Sequence, residues 1–229
     1  MQDQQPVPPE DQAPPDEPPS KESRSREPAR LCEEPAAPLP NVFPMAVMIE
    51  GGMGLLAVGL GWLLDRQPAT TIRWDLPGTL WGLAATVPLV GVLLLCVWVP
   101  IGVLRDLLRT IDRSVVPLFR RWRLVEMAMV AALAGLGEEM LFRGVLQNAV
   151  AGWVAGPYGD WVGWALASLL FGVAHAISAA YAVLATAIGF YLGGLWIATG
   201  NLLVPVIAHA VYDFLALVYL VRIRGRRCR

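Results

Sequence analysis

Two histidines, three carboxylates and one arginine carry the chemistry available in the apolar part of this chain. They stand in "GLGEEMLFRG", "FGVAHA" and "VIAHAVYD", as Glu138, Glu139, Arg143, His175, His209 and Asp213. Each lies within a run of apolar residues. An ionisable group at mid-membrane depth is costly unless paired or wetted, so it marks a functional site by default. On a helix, residues four apart share a face. Glu139 and Arg143 then form an ion pair in the favourable order, acid before base, and Gln147 extends the same stripe. Glu138 is displaced by about 100° around the helix and is free to face a cavity. His209 and Asp213 are also four apart, and a carboxylate beside an imidazole fixes its tautomer and raises its basicity. Phe171 shares a face with His175.

Both histidines of the chain fall in these groups. Three acids against one arginine leave surplus negative charge in a low dielectric, to be met by protonation, a charged histidine or a bound cation. Two imidazoles and a free carboxylate can activate a water for hydrolysis, directly or through a divalent metal. In the metal reading His175, His209 and Glu138 are the ligands, with Asp213 in reach, and zinc is the ion. There is no HExxH and no GxSxG, and Cys32, Cys96 and Cys228 lie outside the motifs, which disfavours a zincin site and covalent serine or cysteine catalysis. The bland alternative for each group is a buried ion pair, a satisfied core histidine and a local structural pair. Glu126 sits at a span end, and Glu50, inside the first apolar run, receives no role.

The elements that must position these groups are membrane helices. Of 229 residues, 55% are hydrophobic, and their long runs point to a membrane protein. Six spans are expected, at about 43–64, 79–104, 124–150, 161–177, 180–199 and 201–222, each near the roughly 20 residues that cross a bilayer core. The fold class is an all-α, polytopic transmembrane bundle. Residues 1–40, Pro-rich and acidic, read as a disordered tail without the apolar stretch of a signal peptide, and 41–229 as the membrane domain. Six arginines fall between Arg105 and Arg123, read as a loop, and five in the C-terminal "RIRGRRCR". The positive-inside rule then puts both termini in the cytoplasm. Trp74, Trp81, Trp98, Trp122, Trp153 and Trp161 fall near span ends, as an aromatic belt requires. Arginines beside apolar runs are topological signals, which excludes nucleic acid as a partner. Lys21 is the only lysine, a bias that suits a bacterial inner-membrane protein. The cysteines show no pairing pattern, and Cys96 reads as a small core residue.

Taken together, "EEMLFR" fits EExxxR, "FGVAH" fits FxxxH and "HAVYD" fits HxxxN/D, in that order on successive segments. With "AIGFYLGGLWIATGNLLVPVIAH", the stretch from about 124 to 216 resembles the CPBP family of intramembrane proteases. That family includes CAAX prenyl protease type 2, the Abi proteins and lysostaphin resistance protein A. The resemblance implies an endopeptidase acting on a protein or peptide, membrane-anchored or prenylated, in a cavity between helices. By that analogy Glu138 and His175 activate the water, His209 and residue 213 stabilise the oxyanion or help hold a metal, and Arg143 supports the glutamates. Asp213 stands where the prenyl endopeptidases carry Asn. An ionised Asp cannot donate to an oxyanion, which favours a role in orienting His209 or binding a metal. Both readings satisfy the charge balance; the placement of Glu138 as a base leans towards metal-free chemistry over a metalloprotease, and the resemblance to the prenyl endopeptidases, described as glutamate-dependent, leans the same way. Two other classes compete: a non-catalytic scaffold of the bacteriocin-immunity type, and an ion-coupled transporter, against which the lack of an internal repeat argues.

Overall fold

A computed structural model of the chain describes residues 41–99 and 101–224. The expected tail, Cys32, Cys228 and most of the basic C-terminus lie outside the described residues. Those described form helices joined by short connections, with no strand among them: α1 Phe43–Leu63, α2 Leu76–Trp98, α3 Gly102–Ser114, α4 Val116–Phe119, α5 Leu124–Glu139, α6 Asn148–Trp153, α7 Gly159–Ala174, α8 Ala179–Thr199 and α9 Leu203–Val218. A π-helical segment, Met140–Gln147, joins α5 to α6 without a break, and a second, Tyr219–Ile223, extends α9.

Among the described residues, four helices are long and apolar enough to cross a membrane: Phe43–Leu63, Leu76–Trp98, Ala179–Thr199 and Leu203–Ile223. The apolar helix Gly159–Ala174 is shorter. The outward faces stay apolar, with Leu55, Trp62, Val87 and Val183 all exposed, a surface suited to hydrocarbon.

Several expectations are corrected. The second span, expected at 79–104, is Leu76–Trp98. The Asp75 side chain accepts a hydrogen bond from the Gly78 N–H at 2.6 Å and caps its start. Val99 turns extended (φ −85°, ψ 118°), as a residue before proline does. The arginine-rich stretch from 105 is not a plain loop. It holds the amphipathic helix α3, with Leu107, Leu108 and Ile111 buried and an exposed Arg109–Asp106 pair at 2.9 Å. Its charges masked an apolar spacing that was present in the sequence. Trp122 is not a belt residue but is 3% exposed, edge-on to Phe43 and Phe119. Cys96 is buried, as expected. The stretch 161–199 resolves into two helices. Helix α7 ends at Ala174, and Ser178 caps α8 by accepting from the Tyr181 N–H at 3.2 Å.

Close approach builds the centre of the bundle. A Cβ on Gly135 would lie 2.8 Å from the Ala210 N on α9, and one on Gly137 would lie 2.6 Å from the Glu50 carbonyl on α1. Small residues at these crossings let α9 and α1 meet α5 backbone to backbone. Both crossings lie just before Glu138, so the tightest packing of α5 adjoins the charged pair. Asn201 ties the start of α9 to the α1–α2 connection. Its Oδ1 accepts from the Arg73 and Leu203 N–H groups at 2.9 and 3.1 Å, and its Nδ2 donates to the Arg73 carbonyl at 3.0 Å.

Candidate active site

At the end of α5 the chain passes into the π-helical segment, a form of helix that is rare and frequent at functional sites. Glu139 is the last α-helical residue before it and Arg143 lies inside it. Arg143 donates to Glu139 Oε1 at 2.7 Å, and the two side chains are 1% and 0% exposed. The other arm of the guanidinium donates to the Gly189 carbonyl on α8 at 3.0 Å. One turn along, the Gln147 amide reaches the Gly193 carbonyl at 3.4 Å. The expected stripe of Glu139, Arg143 and Gln147 therefore faces α8, where glycines leave carbonyls open to it. The guanidinium carbon also sits 4.5 Å from the centre of the Phe171 ring, a cation–π contact in a desolvated setting.

Phe171 is a hub. His175 stacks on it with centroids 4.4 Å apart, and Phe142 and His209 meet it edge-on at 5.1 and 5.9 Å. One aromatic ring thus sets the positions of both imidazoles. His175 is the capping residue at the end of α7 rather than part of the helix. Its Nδ1 lies 2.8 Å from the Phe171 carbonyl. A carbonyl can only accept, so Nδ1 carries hydrogen and Nε2 turns to Glu138 Oε2, 3.5 Å away. The break after Ala174 provides that carbonyl, and the four-residue spacing of FxxxH places it.

His209 lies between two carboxylates. Its Nδ1 is 2.8 Å from Glu139 Oε1 and its Nε2 is 3.4 Å from Asp213 Oδ2. Asp213 was expected to orient this ring. The closer, fully buried partner is Glu139, which holds Arg143 and His209 with the same oxygen. Sequence spacing pairs residues along one helix, and nothing in it joins α5 to α9. Asp213 is the more open of the two, its side chain 32% exposed.

Glu138, His175, His209 and Asp213 line one cavity of about 450 Å³, together with Glu50, Tyr181 and Tyr212. Glu139 and Arg143 lie in the protein beneath it. Glu50 joins this wall from α1, a placement its isolated position in the first apolar run did not signal. Among the described residues, no three His, Cys, Asp or Glu side chains are grouped as a metal site needs. His209 turns each ring nitrogen to a carboxylate, and His175 is committed to Phe171 and Glu138. The zinc ligand set His175, His209 and Glu138 shares a cavity without converging on one point, so no step below is routed through a metal.

Residues 120–215 match the family model described as type II CAAX prenyl endopeptidase Rce1-like. This motif-bearing segment is similar to that family. The resemblance carried by EExxxR, FxxxH and HxxxD is thereby borne out over the segment that holds all three motifs. The chain is 33% identical over 99 residues to the uncharacterized protein YpbD of Bacillus subtilis, a match spanning 42% of this chain and 46% of that relative. The match thus covers less than half of the relative's length. No solved structure matches the chain. The apolar helices and the Rce1-like segment together identify an integral membrane protein.

Proposed function

We propose that this protein is an intramembrane endopeptidase that hydrolyses a peptide bond with a water activated by Glu138 and His175. The observation that carries this reading is the placement of the Glu138 carboxylate 3.5 Å from His175 Nε2 in a cavity between membrane helices. The Rce1-like match supports a peptide substrate in a membrane setting.

In this mechanism a water rests against Glu138 Oε2, a buried oxygen with no hydrogen-bond partner among the described residues, and against His175 Nε2. Glu138 takes its proton as the water oxygen attacks the scissile carbonyl. Negative charge develops on the carbonyl oxygen. His209, as an imidazolium held by Glu139 at Nδ1, donates from Nε2 to that oxyanion, while Asp213 balances its charge. The tetrahedral intermediate collapses, the C–N bond breaks, and Glu138 returns its proton to the leaving amine. Glu139 and Arg143 touch no substrate and act by fixing His209 and Phe171.

The finer proposals follow from the same reading. The substrate is a membrane-anchored or prenylated protein. The protein spans a bacterial inner membrane six times, α5 to α6 and α7 supplying the two spans beyond the four longest apolar helices, with both termini in the cytoplasm.

The test uses full-length protein in lipid vesicles with internally quenched peptides, some carrying a lipid anchor. Cleavage by the wild type that is lost in Glu138→Gln and in His175→Ala supports the reading. Equal cleavage by all three proteins, or none by the wild type across a broad peptide set, overturns it.

A further inference from the structure

Glu50 has no part in the chemistry above, yet it stands in the same cavity. The crossing of α1 over α5 puts it there: its backbone carbonyl occupies the space a Cβ on Gly137 would need, one residue before Glu138. The side chain lines the cavity. Its Oε2 is buried and has no hydrogen-bond partner among the described residues, and the same holds for Oε2 of Glu138, a side chain 6% exposed. The ionisable groups that share the cavity with Glu50 include Glu138, Asp213, His209 and His175.

The wall therefore carries three carboxylates, Glu50, Glu138 and Asp213. The nearby arginine, Arg143, is already paired with Glu139 beneath it. Much of the remaining lining is apolar and includes Leu93, Leu107, Ile111 and Leu184. An unpaired carboxylate in such a setting is costly, and that cost is relieved when an opposite charge comes within contact. Water activation uses Glu138, and Asp213 answers His209. Glu50 is left on the wall of that cavity without a partner for its Oε2 among the described residues.

We propose that Glu50 makes this cavity a site for an organic cation joined to an apolar chain, and so selects substrates with an amine or guanidinium beside the scissile bond. As a statement about specificity it rests on the peptidase reading. Charge complementarity of this kind sets specificity, because a like charge in the same place is strongly disfavoured.

The experiment uses full-length protein in phosphatidylcholine vesicles, with chelator present throughout. Quenched peptides differ at one position flanking the scissile bond, which is Arg, norleucine or Glu. The wild type is expected to prefer Arg over norleucine by about tenfold in kcat/KM. Glu50→Gln should bring that ratio to near one, Glu50→Asp should retain most of it, and Glu50→Lys should favour Glu. A purely structural role would lower all three rates together and leave the ratios unchanged. No preference in the wild type, or an unchanged preference in Glu50→Gln, overturns the inference while leaving the peptidase intact. If no peptide is cleaved, the peptidase reading fails, and binding of decylammonium against decanol decides the cation site alone. Tighter binding of the amine that Glu50→Gln abolishes upholds the site, and equal binding overturns it.

Discussion

Glu138 and Glu139 are neighbours with opposite commitments. Glu139 is enclosed and bonded to Arg143 and His209, whereas Glu138 opens on the cavity. Replacing either partner of the buried pair strands a charge in protein, at a cost of roughly 3–5 kcal/mol. Glu139→Ala and Arg143→Ala are therefore expected to lose folded protein, read as lower detergent-solubilised yield and a lower melting temperature. Glu138→Gln keeps the volume and strands nothing. It should melt like the wild type and lose peptidase activity by about a hundredfold to ten-thousandfold, the span usual for a general base. Equal melting temperatures and equal residual activity in all three variants would contradict the division. Phe171 belongs with these residues: Phe171→Leu keeps much of the packing but removes the ring face under Arg143 and His175, and should cut kcat with little change in yield.

At the scale of elements, the site depends on how closely α1 and α9 approach α5. Gly135→Leu must push against the Ala210 backbone nitrogen, where even a Cβ would lie at 2.8 Å. Overpacking of this kind costs about 1–3 kcal/mol or more, and here it also moves His209 from Glu139. Gly91→Leu on α2 is the control, because nothing lies within 4 Å of a Cβ there. Thermal melts of the pair should show a clear loss for position 135 and little change for position 91. The Asn201 latch gives a second test. Asn201→Ala leaves the Arg73 and Leu203 N–H groups without their partner, costing about 1–3 kcal/mol if they stay buried. It should raise proteolytic cleavage between residues 64 and 75 more than it lowers activity.

The whole molecule adds orientation and the choice between water alone and a metal. In the proposed topology, which puts the arginines on the cytoplasmic side, a single cysteine at Ser114, in a background with Cys32, Cys96 and Cys228 replaced, should label only when the cytoplasmic face is open to reagent. A cysteine at Thr70 should label from the other side. The reverse pattern would invert the topology. Removal of metal is the sharper chemical test. Because the candidate ligands are engaged with Phe171, Glu139 and Asp213 rather than drawn to one point, purified protein is expected to keep its activity through chelation. Stoichiometric zinc, with activity lost on its removal and restored on its return, would assign the water to a metal and leave the peptidase reading in place.

The sequence by itself determined the apolar periodicity, the groups of polar residues and the pairings within a turn. Glu139 with Arg143, Phe171 with His175 and His209 with Asp213 are each four residues apart, and each pair meets in the fold because helical geometry is local. The ends of most helices were legible for the same reason, since caps and prolines act on their own neighbours. Only the tertiary structure decided which helices meet. It gave His209 to Glu139 rather than to Asp213 alone, set Phe171 between the two imidazoles, and folded the "LLRTI" spacing into a helix whose apolar side closes the cavity. It also brought Glu50 from α1 to Glu138. The contact of His209 with Glu139 joins residues 70 positions apart, through a crossing that depends on glycines with no chemistry of their own. No periodicity within one helix records which neighbour its small residues admit.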